Sequence, residues 1–127
     1  MISVPVSIGE LIDKLSILHV KKNKIKNEEK LVSVNKEFEL LYNSSSEFLN
    51  NQKIESLYHE LCEVNQNLWE IEDELRVIEL EKRFDREFIE LARKVYFTND
   101  RRFELKNEIN QLTDSEIREV KEYVKYK

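Results

Sequence analysis

The chain has 127 residues, of which 40% are hydrophobic and 37% charged, and its formal net charge is −5 at pH 7. These values fit one domain with a single core and a heavily charged surface. With one Gly and one Pro, the sequence lacks the turn residues that β-hairpins need, which argues against an all-β or α/β fold. The acidic balance argues against nucleic acid as a partner.

The N-terminal stretch "MISVPVSIGELIDKL" has no basic leader and no cleavage-site pattern, and acidic residues interrupt its apolar part. No apolar run approaches the roughly 18 residues that a membrane helix requires. We therefore expect a cytoplasmic protein with neither a signal peptide nor a membrane partner.

The first helix is predicted to begin at a capping box, in which Ser7 and Glu10 bond to each other's backbone N–H groups. The apolar pattern then predicts a helix from about residue 7 to 42, in which residues 26 and 27 are the place for any bend. The polar stretch "NSSSEFLNNQ", residues 43–52, predicts a loop.

The second helix is predicted over residues 52–82 from a regular apolar spacing. Its apolar residues alternate three and four positions apart over about three and a half heptads, which is typical of a coiled-coil seam. These residues are Ile54, Leu57, Leu61, Val64, Leu68, Ile71, Leu75 and Ile78.

Asp85 is predicted to cap a third helix over residues 86–112. Because the connection is short, the second and third helices should be antiparallel neighbours. A second capping box at residues 113–116 predicts a short C-terminal helix over about 114–126. The expected fold is one all-α domain spanning the whole chain, an antiparallel bundle of three long helices with a short fourth.

Polar side chains replace part of the apolar stripe on the third helix, within about 40° of the line that its first apolar residues set. They are Asn99, Arg102, Lys106 and Asn110. The second helix has a similar polar flank beside its leucine seam. It contains Asn65, Trp69, Glu72 and Arg76, with Asp73 further round.

Folding these two helices about residues 83–85 places positions whose numbers sum to about 168 opposite one another, so Trp69 should lie near Asn99. The two polar flanks are therefore predicted to meet. Three interpretations remain open: a solvated edge with weak surface ion pairs, an internal polar network, or a binding site. An uncompensated buried charge costs several kcal/mol, so a buried member must be paired, solvated or completed by a ligand.

Apolar residues on two sides of a helix indicate more than one covered surface. Ile17 and Val20 project opposite the main apolar face of the first helix, and Phe97 projects opposite Phe88 on the third. We predict that a second protomer or another protein covers part of these surfaces.

Three blocks of the chain resemble a known family. They read "VPVSIGELIDKLSIL", "VNQNLWEIEDELR" (64–76) and "FIELARKVYFTNDRRFELKNEIN" (88–110), and they are similar to DUF6165, an uncharacterised family found in bacteria and marine phages. The resemblance covers nearly the whole chain and implies one helical domain in a bacterial cytoplasm, or in the host cytoplasm if a phage encodes it. It transfers no catalytic role, because no activity is established for the family.

The family's motif-like polar residues correspond to some residues of the two flanks and to three in the first helix. We take as ligand-binding candidates Asn65, Glu72, Asp73, Arg76, Asn99, Asp100, Arg101, Arg102 and Lys106. The secondary candidates are Glu10, Asp13 and Lys14.

The predicted function is a non-catalytic binding or assembly module that acts as an oligomer, with a second copy or another protein as its partner. The alternative is a site for a small anionic molecule, such as a nucleotide or sugar phosphate. In that alternative the anion is held by Arg76, Arg101, Arg102 or Lys106, and a metal or hydroxyl by Glu72, Asp73 or Asp100.

The enzymatic form of this alternative is a MazG-type pyrophosphohydrolase, which holds Mg²⁺ with acidic pairs at i, i+3. Glu10/Asp13 and Glu70/Asp73 have this spacing, but a chain with 26 acidic residues contains such pairs by chance. Glu10 and Asp13 also project about 140° to 160° from the main apolar face. We therefore predict no catalytic residue, no cofactor and no metal, with Mg²⁺ only under this alternative.

Overall fold

Four α-helices account for most of the chain in the computed structural model, which describes residues 1–115 and 119–126. The helices are α1 Ile8–Lys24, α2 Glu28–Leu49, α3 Gln52–Leu80 and α4 Arg86–Thr113. The described residues contain no strand, so the predicted all-α fold is confirmed. α3 and α4 begin where the sequence predicts and end within two residues of the predicted positions. No described helix has both the length and the apolar character that crossing a membrane requires.

The single first helix predicted over residues 7–42 is wrong, because the chain breaks into α1 and α2. Ile25 has an extended backbone, with φ −78° and ψ 133°, and it ends α1. Asn27 then caps α2 by accepting a hydrogen bond from the backbone N–H of Lys30 at 3.0 Å. The break lies where the sequence allows a bend.

The predicted loop over residues 43–52 is also wrong, since α2 continues to Leu49. The serine hydroxyls stay within the helix; that of Ser45, for example, donates to the carbonyl of Leu41 at 2.6 Å. Phe48 and Leu49 pack against the core. The connection is reduced to residues 50 and 51, and Asn51 caps α3.

The described part of the predicted C-terminal helix, residues 114–115 and 119–126, has no helical structure. Asp114 adopts a left-handed conformation with φ 50° and ends α4. Residues 116–118, including the last position of the predicted capping box, lie outside the described residues. Residues 119–126, here called the C-terminal segment, run back along α4, where Glu119 pairs with Lys106 and Tyr126 donates to Asp100.

α1 contacts all three other helices. It runs parallel to α3 and antiparallel to α4, and α3 and α4 form an antiparallel hairpin. Gly9 permits close contact between α1 and α4, since a Cβ there would lie 2.4 Å from the backbone oxygen of Lys106. The central core contains Ile12, Ile54, Leu57, Leu61, Leu105 and Ile109.

The α3–α4 hairpin is longer than the helix that packs on it. At 1.5 Å per residue, the 29 residues of α3 span about 43 Å and the 17 of α1 about 25 Å. α1 ends where Lys24 pairs with Glu70 at 2.8 Å. The hairpin beyond this point, residues 71–80 of α3 and 86–96 of α4, is called the overhang. Val77 and Leu80 on it are 53% and 84% exposed.

Gly9→Ala tests the close contact between α1 and α4. Because the clashing atom belongs to the backbone of α4, the helices must separate, and we expect the free energy of unfolding to fall by about 1–3 kcal/mol. Urea denaturation measures it. Ser33→Ala, at an exposed position of α2, is the control and should change stability little. Unchanged or increased stability of Gly9→Ala would contradict the contact.

Candidate functional site

A buried ion pair joins α1 to α4. Arg102 donates from Nε to Oδ1 of Asp13 at 2.9 Å and from Nη2 to Oδ2 at 2.6 Å. The Asp13 side chain is 1% exposed, and that of Arg102 is 26% exposed. The hydrogen bonds to Asp13 raise the pKa of Arg102 and outweigh the opposing effect of its burial. This two-pronged geometry is the strong form of an arginine–carboxylate pair.

α3 contributes to the same network through Asn65. Its amide Nδ2 donates to Oδ1 of Asp13 at 3.1 Å and to Oγ of Ser16 at 2.8 Å. The Ser16 hydroxyl in turn donates to the backbone carbonyl of Asp13 at 2.6 Å. Side chains from α3 and α4 therefore satisfy one buried carboxylate of α1, which is the arrangement that buried charge requires.

The sequence projection placed Asp13 away from the main apolar face, whereas the structure buries it completely. The physical reason is that α1 has neighbours on several sides, and Arg102 compensates the charge. The sequence does contain a signal for this second buried face, because intervals of four, three and four residues place side chains on one face of a helix. This spacing is found in Gly9, Asp13, Ser16 and Val20. All four are buried. Val20 is thus covered within the chain, and no second protomer is needed to cover it.

Lys106 forms a second charged cluster one turn along α4. Its Nζ lies 2.8 Å from Oε2 of Glu10 and 2.6 Å from Oε2 of Glu119. Burial opposes the charged form of Lys106, but these two hydrogen bonds outweigh it and raise its pKa. Burial likewise opposes ionisation of Glu119, yet the contact with Lys106 lowers its pKa. The C-terminal segment is thereby fastened to α1 and α4.

The ends of α1 and α4 meet beside this cluster. The backbone N–H of Gly9 donates to Oδ1 of Asn110 at 2.7 Å, and Asn110 is fully buried. This N–H belongs to the first turn of α1, which has no partner of its own within the helix. Asn110, predicted on the polar flank, therefore serves as an internal cap for α1.

A cavity of about 250 Å³, here called the polar cavity, lies where α1, α3 and α4 meet. Four of its polar residues were predicted to face one another from the helical register. The lining residues are Ile17, Val20, Asn65, Leu68, Trp69, Glu72, Asn99 and Arg102. Trp69 and the three aliphatic residues form its apolar part, and the other four form its polar part.

Hydrogen-bonding capacity remains in the polar cavity. Arg102 uses one hydrogen of Nε and one of Nη2 for Asp13, which leaves three of its five N–H donors, two on Nη1 and one on Nη2. Among the hydrogen bonds and ion pairs of the described residues, none involves the side chain of Glu72 or Asn99. A molecule in this cavity would thus meet donors and acceptors that are not already used.

The remaining candidates do not converge on the polar cavity. Arg101 pairs with Glu60 at 2.9 Å and with Glu104, on an exposed face. Lys14 pairs with Glu37 of α2 at 3.3 Å. The exposed Asp73 lies 3.9 Å from Arg76.

Asp100 lines a different space of about 650 Å³ between α4 and the C-terminal segment, here called the tyrosine cavity. Its lining comprises Val95, Tyr96, Asn99, Asp100, Lys121, Tyr123, Val124 and Tyr126. Sequence reasoning missed it because residues 114–126 were expected to form a helix. Asn99 lines both this and the polar cavity.

A third space, about 390 Å³, follows the overhang and is called the distal groove. It is lined by Glu72, Leu75, Arg76, Glu79, Phe88, Ala92 and Val95. Glu72 is shared with the polar cavity, so the two spaces adjoin. Within residues 1–115 and 119–126, no group of three or more His, Cys, Asp or Glu side chains is arranged to hold a metal ion.

Removing Arg102 from the buried ion pair should destabilise the fold more than removing the charge of Asp13. Arg102→Met leaves a carboxylate that cannot reach solvent, and we expect a loss of about 3–5 kcal/mol in the free energy of unfolding. Asp13→Asn leaves a guanidinium that is partly exposed, and the loss should be smaller. Urea denaturation of both variants measures the difference. A larger loss for Asp13→Asn would contradict the assigned burial.

The Lys106–Glu119 contact predicts a pH dependence of stability. The pKa of Glu119 is lowered from its ordinary value of 4.5 in the folded chain, so its contribution is present above 4.5 and is lost as the pH falls through the lowered pKa. Glu119→Gln should therefore lose less stability than the parent chain upon acidification. Melting temperatures at neutral and acidic pH test this, with Glu122→Gln, an exposed residue of the same segment, as the control. Equal acid sensitivity of Glu119→Gln and the parent would refute it.

No curated protein and no solved structure matches the chain. The model of a family of unknown function, DUF6165, matches residues 2–126. This match agrees with the three sequence blocks that resemble the family, and it extends over essentially the whole chain. The chain therefore belongs to the DUF6165 family.

Proposed function

We propose that this protein is a non-catalytic binding protein whose polar cavity takes a compact, uncharged ligand with hydroxyl or amide groups. The observation that carries the proposal is the convergence of Asn65, Glu72, Asn99 and Arg102, from two helices, on one cavity that also contains Trp69. Ligand sites typically combine an apolar wall with a few convergent polar groups.

The charges support a neutral ligand over a phosphate. All four cations considered for anion binding have an acidic partner: Arg101 has Glu60, Arg102 has Asp13, Lys106 has Glu10 and, at a longer distance, Arg76 has Asp73. The fourth, Arg76, lines the distal groove. A phosphate in the polar cavity would meet a cation whose charge Asp13 has balanced, together with the like charge of Glu72. The nucleotide and sugar-phosphate alternative thus loses its electrostatic support.

The volume of the polar cavity limits the size of the ligand. About 250 Å³ is the space of roughly eight water molecules at ~30 Å³ each, below the usual range of drug-sized sites. A single substituted ring fits this volume. Trp69 and Leu68 can cover its apolar face while Asn65, Asn99 and Glu72 bond to groups at its edge.

The residues of the polar cavity favour binding over catalysis. Among the described residues that line the cavity, Glu72 is the one carboxylate, and none is a Ser, Cys, His or Lys that could act as nucleophile or second acid–base group. Arg102 is fixed by Asp13 and can donate without titrating near neutral pH. These groups can orient a molecule through fixed hydrogen bonds.

Calorimetric titration with matched pairs of compounds tests the proposal. Neutral monosaccharides are compared with their own monophosphates, and the neutral member of a binding pair should bind more tightly. Asn99→Ala should then weaken binding about tenfold, which corresponds to the loss of one or two hydrogen bonds worth about 1.4 kcal/mol in total.

Asn67→Ala is the matched control, because Asn67 is exposed on α3 and does not line the polar cavity. Its affinity for the ligand should equal that of the parent chain. The proposal fails if no neutral monosaccharide binds. It also fails if the phosphorylated member binds more tightly, or if Asn67→Ala and Asn99→Ala weaken binding equally.

A further inference from the structure

The overhang is a stretch of two-helix hairpin that α1 does not cover. Its two segments are the continuous ends of α3 and α4, and helices in proteins are stabilised mainly by the packing of an apolar face. Leu75, Phe88 and Val95 along the distal groove are only half-buried. Ile89 on the overhang is 54% exposed. An apolar surface of this kind is expected at a contact with another macromolecule.

The position of the distal groove indicates that its occupant is helical. In the other half of the hairpin, α1 fills the corresponding space between α3 and α4, and its residues Ile17 and Val20 reach the polar cavity. Glu72 lines the polar cavity and also the distal groove, so the groove continues in line with the space that α1 fills. A helix placed end to end with α1 would occupy it.

The charges on the groove indicate which helix this is. Arg76 lies on α3 between two acidic residues, Glu72 four positions before it and Glu79 three positions after it, and all three line the groove. Its ion pair with Asp73 is loose, at 3.9 Å, and its side chain is 73% exposed. An arginine flanked by two acids is complementary to an inverted copy of itself. When two α3 helices pack antiparallel, each Arg76 meets an acidic residue of the other copy.

A second overhang has the same length as the distal groove that it would fill, because the groove follows the overhang of the first copy.

From these observations we infer that two copies of this chain pair about a two-fold axis, each overhang filling the distal groove of the other. The result is a four-helix arrangement with Leu75, Phe88, Ala92 and Val95 of both copies at its centre. The overhang is about 15 Å long and about 20 Å wide, so the interface is small and reversible, and association depends on protein concentration. A two-fold interface closes on itself, so assembly stops at the dimer.

Sedimentation velocity over a wide range of protein concentrations tests this inference. The parent chain should pass from monomer to dimer as the concentration rises. Arg76→Glu places like charges opposite one another and should weaken dimerisation at least tenfold. The triple variant Glu72→Lys, Arg76→Glu, Glu79→Lys inverts the whole pattern and should dimerise with itself again, because an inverted pattern remains self-complementary.

Lys36→Glu, an exposed residue of α2, is the control for the change in charge and should dimerise like the parent. Circular dichroism checks that each variant keeps its helices. A parent chain that stays monomeric at every concentration would overturn the inference. Growth beyond a dimer, or a triple variant that dimerises no better than Arg76→Glu, would overturn it as well.

Discussion

The buried pair of Asp13 and Arg102 is the interaction on which the arrangement of the helices depends. A carboxylate without access to solvent is tolerated only where its partners are fixed in place, and here they come from α3 and α4. The pair therefore sets how α1 lies on the α3–α4 hairpin. The position of α1 in turn sets where the polar cavity begins, since Ile17 and Val20 form part of its wall.

The two ends of α1 differ in their packing. One end lies close against α4, and the other stops before the α3–α4 hairpin ends. At Gly9 the backbones of α1 and α4 nearly touch, and Asn110 and Lys106 with its two acidic partners complete that end. At Lys24 the helix stops, although α3 continues for ten more residues. One half of the hairpin is thus held by charge pairing and close packing, and the other half is left uncovered.

The parts of the structure that follow from helical periodicity could be predicted from the sequence. The register of α3 against α4 placed Trp69 beside Asn99, and both line the polar cavity. The burial of Asp13 could not be predicted from one helical face, because it depends on α1 having several neighbours and on a cation 89 positions away along the chain. The polar composition of residues 43–52 led to the wrong prediction of a loop. α2 continues to Leu49, and the Ser45 hydroxyl bonds to the backbone of its own helix. The tyrosine cavity could not be predicted either, because it depends on the path of the C-terminal segment along α4.

The polar residues of the polar cavity form two groups that differ in their hydrogen bonds within the chain. Arg102 donates two of its five N–H groups to Asp13, and the amide nitrogen of Asn65 donates to Asp13 and Ser16, as expected for an internal network. Glu72 and Asn99 line the same cavity without such a partner, and each also lines a neighbouring space, the distal groove and the tyrosine cavity respectively. The internal network therefore forms one wall of the cavity, and the proposed binding depends on Glu72 and Asn99 at its edge.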